Sequence, residues 1–256
     1  VAAGKADFGI SYQEDVTYAL TSEDPLPIKT IATIIQHNTS GFVSLKSANI
    51  NSVKDFEGKT YAGWGAPSEE AVIKAVMNEA GADFSKLNIV GSDGSGIAGL
   101  SDEVGKNKVN LGWEFYGWAI IKAMQDGYDL NYMPLADLDS RLDYYTPVII
   151  TNKKMIKKNS DTVKKFMEAT KKGYEYAIDH PSKAAEILHE DALSDTDLKF
   201  LKESQKYLSS QYAKDADSWG VMKDSVWDNY TDFMYETGLI SQKIDAKDQY
   251  TNEFVK

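Results

Sequence analysis

A chain of 256 residues, 42% hydrophobic and 26% charged, is long enough for one large or two smaller folded domains. Its formal charge of -11 disfavours nucleic acid and anionic membrane surfaces as partners. The absence of cysteine excludes disulfides, thiolate metal sites, iron–sulfur clusters and thiol nucleophiles. No apolar run reaches the roughly 18 residues of a membrane span, and no secretory leader is visible. The abrupt opening reads as a helix end running into a strand, so an upstream segment is expected. Arg141 is the one arginine, which weakens the case for a sulfonate or phosphate ligand, although helix N-termini also hold such anions.

In chain order, residues 7–11 read as a short buried strand passing through Tyr12 and Gln13 into a helix that ends near Leu20, before Pro25 and Pro27. Residues 29–36 are rich in β-branched side chains and predict a strand. A polar turn over 37–41 follows, then a second strand over 42–45. Residues 52–58 form a short helix or turn stopped at Gly58, with a new strand from Thr60. A helix is expected from Ser68, its N-cap, to about Ala80, with Gly81 as the stop. Then come a strand over 87–90, a Gly/Ser loop over 91–96 and a helix over 97–104. After residues 129–135, an apolar strand is expected over 144–151. From Ser160 onward the apolar spacing is helical, with Pro181 opening one helix, Ser194 capping another and a last one over 219–235. Strand–helix alternation followed by helices predicts an α/β fold with a mixed or mostly parallel sheet.

The segment 108–123, KVNLGWEFYGWAIIKA, carries the most chemistry. If 109–113 is a strand, Glu114 lies at its carboxyl end, where open α/β sheets place their ligands. A carboxylate among Trp113, Phe115, Tyr116 and Trp118 suits a flat, nitrogen-rich ligand, rings covering its faces and the carboxylate taking N–H donors at its edge. The plain alternative makes the aromatics core and Glu114 a solvated acid at a helix start.

Three segments, taken together, resemble a known family: AGKADFGIS at 3–11, DFEGKTYAGW at 55–64 followed by PSEE at 67–70, and PVIITN at 147–152 with the helix pair over 166–181. In order and spacing they are similar to substrate-binding proteins of ABC importers, in the family shared with thiamine-pyrimidine biosynthesis proteins and with sulfonate and riboflavin binders. The resemblance implies a type II periplasmic-binding-protein-like fold of two lobes, each with a central sheet flanked by helices, closing on a ligand held in the cleft between them. Residues 1–47 and 146–256 would form lobe one and 48–145 lobe two. Members usually carry a strand–helix–strand–helix start ahead of the position matching Val1. Lobe one is therefore expected to lack its first elements, with weak stability or a strand-exchanged dimer as the result.

On that resemblance, Glu114 is the pocket carboxylate, bridging the exocyclic amine and a ring nitrogen of an aminopyrimidine. Trp64 ends a lobe-two strand before a helix start and is expected to stack on the ring. Ser11 and Tyr12 would lie on the cleft floor, Tyr18 in packing, and Asn38 on ligand polar atoms, with His37 more often a satisfied surface or hinge residue. Strand alternation lets only some of Trp113, Glu114 and Tyr116 share one face; Tyr116 is preferred to Trp118, which reads as core. Ser68 is a further candidate, whereas Glu69 and Glu70 already supply negative charge to that helix start and oppose an anionic ligand. His180 and His189 show no partners, so no metal site, cofactor or catalytic residue is expected.

The function these readings imply is the extracytoplasmic solute-binding component of an importer for hydroxymethyl- or formylaminomethyl-aminopyrimidine. Its partners would be that ligand and a transporter permease, with membrane attachment only through a missing N-terminal lipoprotein anchor. The alternatives are a riboflavin binder, a sulfonate or taurine-like binder, a ligand-sensing domain and a pyrimidine synthase. The last is associated with a cysteine-rich motif that this chain lacks.

Overall fold

The computed structural model describes residues 1–105 and 108–256. The chain forms two compact units, one of residues 1–38 and 143–256 and one of residues 39–142.

In the first unit, β1 (Phe8–Ser11), β2 (Ile28–Thr33) and β8 (Val148–Asn152) make a three-stranded sheet in the order β1-β8-β2, antiparallel throughout. β8 is central and reads VIITN, so its side chains are buried on both faces. Ile149 packs with Ile31, Val163, Met167 and Trp219, while Val148 and Ile150 join Val16, Leu20, Ile28 and Trp227 on the opposite face. Ile28 and Ile31, three residues apart, face these two different cores by strand alternation, and the register shift between Thr30 and Ala32 puts Ala32 on the Ile31 side as well. The sequence predicts a buried strand for β1, but among the described residues it pairs with β8 alone and leaves Ile10 62% exposed. β2 stops at Thr33 because the next amides turn to loop carbonyls, Ile34 N to Pro147 O at 3.0 Å and Gln36 N to Gln211 O at 3.1 Å.

Helix α1 (Gln13–Thr21) follows β1, and the tail supplies α5 (Lys153–Lys158), α6 (Ser160–Asp179), α7 (Pro181–Asp191), α8 (Leu198–Ser209), α9 (Asp224–Glu236) and α10 (Ala246–Gln249). Val163 and Met167, four apart on α6, are buried in the core. Asp197, not Ser194, caps α8, its carboxylate accepting from Lys199 N at 3.1 Å. α9 begins only at Asp224, since Trp219 sits ahead of it, buried and stacked 4.3 Å from Tyr174. Tyr144 and Tyr145 likewise precede β8 and pack on Tyr230 and Trp227 instead of extending the strand.

The second unit holds β3 (Ser40–Leu45), β4 (Thr60–Gly63), β5 (Asn88–Gly91), β6 (Leu111–Phe115) and β7 (Leu130–Pro134) in the order β5-β4-β6-β3-β7. β4 runs parallel to β5 and β6, and β3 antiparallel to β6 and β7, which makes the sheet mixed. Because β3 pairs on both edges inside this sheet, the chain crosses between units at 38/39 and 142/143, not at 47/48 and 145/146 as expected from sequence. One face carries Phe42 against Phe56, Tyr61 and Trp113. The other carries Val43, Ile97, Ile120 and Ala123, with Tyr116 and Tyr132 at its margin.

Two further expectations shift here. The helix over 97–104 is a single 3-10 turn, Gly96–Gly99, because glycines at both ends favour no helix. The strand expected over 109–113 is β6, two residues later; Val109 forms only an isolated bridge with Leu100. A π-helical turn, Tyr116–Ile120, leads directly into α3 (Ile121–Gln125), and a one-turn helix, α4 (Leu135–Leu138), follows β7.

Candidate functional site

The parallel strands β4 and β6 end side by side, β4 at Gly63 just before Trp64 and β6 at Glu114-Phe115. Carboxyl ends of parallel strands carry ligands in open α/β sheets because the chain leaves the sheet there and exposes backbone and side chains together. Glu114 is therefore a strand residue, not the helix-start acid of the alternative reading, and pairs across the ladder with Gly41.

Alternation along β6 separates its neighbours. Trp113 faces Phe42, 5.8 Å between ring centroids, and the Trp64 indole, 5.1 Å away and tilted by 59°. Glu114 faces the other way, toward the loop that contains Gly96, where an added Cβ would stand 3.6 Å from its Oε1. That glycine has φ +56, a left-handed conformation that lets the loop pass close to the carboxylate. Glu114 is half-buried, and burial pushes its pKa above the ordinary carboxylate value. Among the described residues no hydrogen bond or ion pair reaches its side chain.

Trp64 is 57% exposed, an unusual state for a tryptophan. Its position follows from α2 (Pro67–Glu79), whose N-cap is Ala66. Ser68 was expected to be that cap, but Pro67 takes the first helical position, where its fixed φ suits the helix, and moves Ser68 into the buried first turn. Glu69 reaches back from the same turn to accept from Tyr61 Oη at 2.5 Å, Trp64 N at 3.2 Å and Gly65 N at 2.8 Å.

Tyr116 is not the open aromatic and Trp118 is not core: Tyr116 lies 5.3 Å from Tyr132 in an edge-to-face pair, and Trp118 is 48% exposed. The π-helical turn shifts the register of these side chains, so ordinary helical spacing from Phe115 misassigns them. Sequence reasoning missed Tyr132, whose hydroxyl donates to Thr39 O at 2.8 Å. Its ring lies over Gly41, where a Cβ would approach Tyr132 Cζ to 2.8 Å and Met133 O to 2.4 Å. A glycine between Ser40 and Phe42, within a strand, was the available signal of this close approach.

The remaining candidates belong to the first unit. Ser11 ends β1, its hydroxyl 3.5 Å from Asp15 Oδ2, and Tyr12 precedes α1 with an exposed ring. Asn38 is buried, its amide N donating to Asp143 Oδ1 at 2.8 Å. His37 Nδ1 meets Asp143 Oδ2 at 2.6 Å and Nε2 lies 3.5 Å from Asp215, so His37 is a satisfied residue at the chain crossing. Arg141 is engaged by Asp139, with Nε to Oδ1 at 3.1 Å and Nη2 to Oδ2 at 2.6 Å. Among the described residues no three His, Asp or Glu side chains converge as a metal-binding set.

Comparison with known proteins agrees with this architecture. The formylaminopyrimidine-binding protein of Halalkalibacterium halodurans is 25% identical over 191 residues, 73% of this chain and 55% of that protein. The chain thus spans little more than half the length of that relative. The riboflavin-binding protein RibY of Chloroflexus aurantiacus is 25% identical over 255 residues, 92% of this chain and 67% of that protein. Among solved structures, the alkanesulfonate-binding protein SsuA of Xanthomonas axonopodis pv. citri superposes with a TM-score of 0.70 at 12% identity, covering 98% of this chain and 82% of that one. That likeness establishes the periplasmic-binding-protein fold and no more. The profile of the family described as NMT1/THI5 like matches residues 1–184, and the chain belongs to that family.

Proposed function

We propose that this protein is the solute-binding component of an ABC importer and that it holds a thiamine pyrimidine precursor, a 4-aminopyrimidine bearing a hydroxymethyl or formylaminomethyl arm. The observation that carries this reading is Glu114, a half-buried carboxylate at the end of a parallel strand with no donor of its own. An aminopyrimidine offers an exocyclic N–H and a ring nitrogen side by side, so one carboxylate engages both when the ring nitrogen carries a proton. Charge-assisted bonds of this kind contribute about 1.5–3 kcal/mol each. An aromatic stacked on the ring adds roughly 0.5–1.5 kcal/mol beyond area burial, a role Trp64 fills only by reaching past the end of β4, since it lies on the Trp113 side of the sheet. Net binding of ~-8 to -12 kcal/mol, micromolar to nanomolar, requires in addition burial of the ring faces large enough to offset the cost of association.

The formylaminopyrimidine-binding relative supports the same chemistry. On this reading the protein works outside the cytoplasm, presents its ligand to a permease and performs no chemistry on it. Riboflavin is the second reading, favoured by a relative that matches almost the whole chain. The flavin ring edge presents a single N–H between two carbonyls, however, and a carboxylate meets repulsion on both sides of that donor. A sulfonate suits the site least, because a carboxylate faces it and Arg141 is already paired with Asp139.

Isothermal titration of the chain against hydroxymethyl- and formylaminomethyl-aminopyrimidine, thiamine, riboflavin and taurine tests the assignment. Submicromolar binding of an aminopyrimidine alone is the expected result. Binding of riboflavin or taurine with silence toward the pyrimidines would keep the fold and discard the pocket chemistry.

A further inference from the structure

Glu69 is an acidic residue almost fully enclosed, 3% exposed, and its bonds are unusual for its position. A glutamate in the third helical position ordinarily caps the helix by reaching the N-cap amide. Here the carboxylate passes over the N-cap residue Ala66 and engages the amides of Trp64 and Gly65, together with the Tyr61 hydroxyl. Its bonds thus hold the strand-to-helix loop and not the helix.

The surrounding backbone is shaped to this contact. Gly65 has φ +80, which turns its amide toward the same point as that of Trp64. Gly63 admits the carboxylate against the backbone, since a Cβ there would stand 2.2 Å from Glu69 Oε1 and 2.6 Å from Cδ. Two converging amides at a strand-to-helix turn form a concavity of the kind that takes an anion in phosphate- and sulfonate-holding loops. In this protein that anion is tethered to the chain.

We propose that Glu69 is a positioning and selectivity residue: its carboxylate fixes the Trp64 loop so that the indole stands beside Trp113, and it closes the Trp64–Gly65 amide pair to anionic solutes. The role of Trp64 as a ligand wall rests on the function proposed above; the fixing of the loop does not. This selectivity is separate from the charge of Glu114: the amides an anion would need are already taken.

Two indoles 5.1 Å apart at 59° couple their transitions and give a paired positive and negative circular dichroism band, which serves as the readout for Trp64 placement. In Glu69→Ala the couplet is expected to collapse, and added formate, which replaces the missing carboxylate, is expected to restore it. Wild type and Glu69→Gln, whose amide fills the same volume, are expected to ignore formate. Titration of Glu69→Ala with taurine should show binding that wild type lacks, and its aminopyrimidine affinity should fall by about tenfold as the preorganised wall is lost. An unchanged couplet in folded Glu69→Ala, or a formate response equal in all three proteins, overturns the proposal. If Glu69→Ala does not fold, Glu69→Gln carries the test, with a weakened couplet expected and an intact one decisive against it. If wild type takes no aminopyrimidine, the ligand assignment falls while the couplet and formate arms still decide the role of Glu69.

Discussion

At the scale of single residues, the acids and bases of this protein differ in whether their charge is compensated. Burial holds the Glu114 pKa above its ordinary 4.5, so the ionised form is disfavoured in the folded chain relative to the unfolded one. Stability linked to it is complete below that ordinary value and declines as pH rises through the folded value. Glu114→Gln is therefore expected to raise the melting temperature of the ligand-free protein at neutral pH by roughly 1–3 °C, with the gain vanishing near pH 4. The same substitution should weaken aminopyrimidine binding more than tenfold by titration calorimetry, so stability and affinity move in opposite directions; unchanged affinity would remove Glu114 from the site. His37 behaves in the compensated way. Its bond to Asp143 raises its pKa, burial and Lys214 oppose, and Asp215 assists. The stability it confers is complete below about pH 6.5 and is lost as pH rises through the elevated value, so wild type should melt lower at about pH 8.5 than at pH 6, and His37→Gln should flatten that slope. The places of Glu114 and Trp64 at strand ends were legible in the sequence because a charge or an indole stands where an apolar run gives way to a helical pattern. Tyr132 and Glu69 were not, since their partners, Thr39 and the Trp64–Gly65 amides, are set by ladder register and turn geometry that residue types alone do not specify.

At the scale of elements, the apolar pattern on α6 commits one face to the core. Met167 is fully buried, so Met167→Ala should cost about 2–5 kcal/mol in a urea melt. Ile187 on α7 is exposed, and Ile187→Ser should stay within about 0.5 kcal/mol; equal losses at both sites would contradict these helix faces. This long helix could be read from sequence because its periodicity persists over many turns, and β2, β3 and β4 because β-branched and small residues cluster between turn signals. Failures fell where a local signal competed with a stronger neighbour. Pro67 displaced Ser68 as the start of α2, and Asp197 replaced Ser194 as the cap of α8. The π-helical turn after β6 altered the facing of Tyr116 and Trp118, a change no spacing rule for ordinary helices anticipates.

At the scale of the whole molecule, residues 39–142 form one unbroken stretch with their own five-stranded sheet and apolar faces, whereas the other unit is assembled from two separated stretches. A fragment of residues 39–142 is expected to unfold cooperatively and to keep the Trp64–Trp113 dichroic couplet; a coil-like spectrum would show that its sheet needs the rest of the chain. The strand order β1-β8-β2 adds a constraint in time. β1 and β2 do not pair with each other, and the strand that joins both is made roughly a hundred residues later. At a synthesis rate of about 5–20 residues per second, β1 and β2 wait on the order of 5–20 s for β8, while all strands of the intervening unit are made. The β-branched stretch around Ile31, Ile34 and Ile35, buried in the finished protein, lacks its β8 cover during that interval, which makes it an aggregation hazard until β8 arrives.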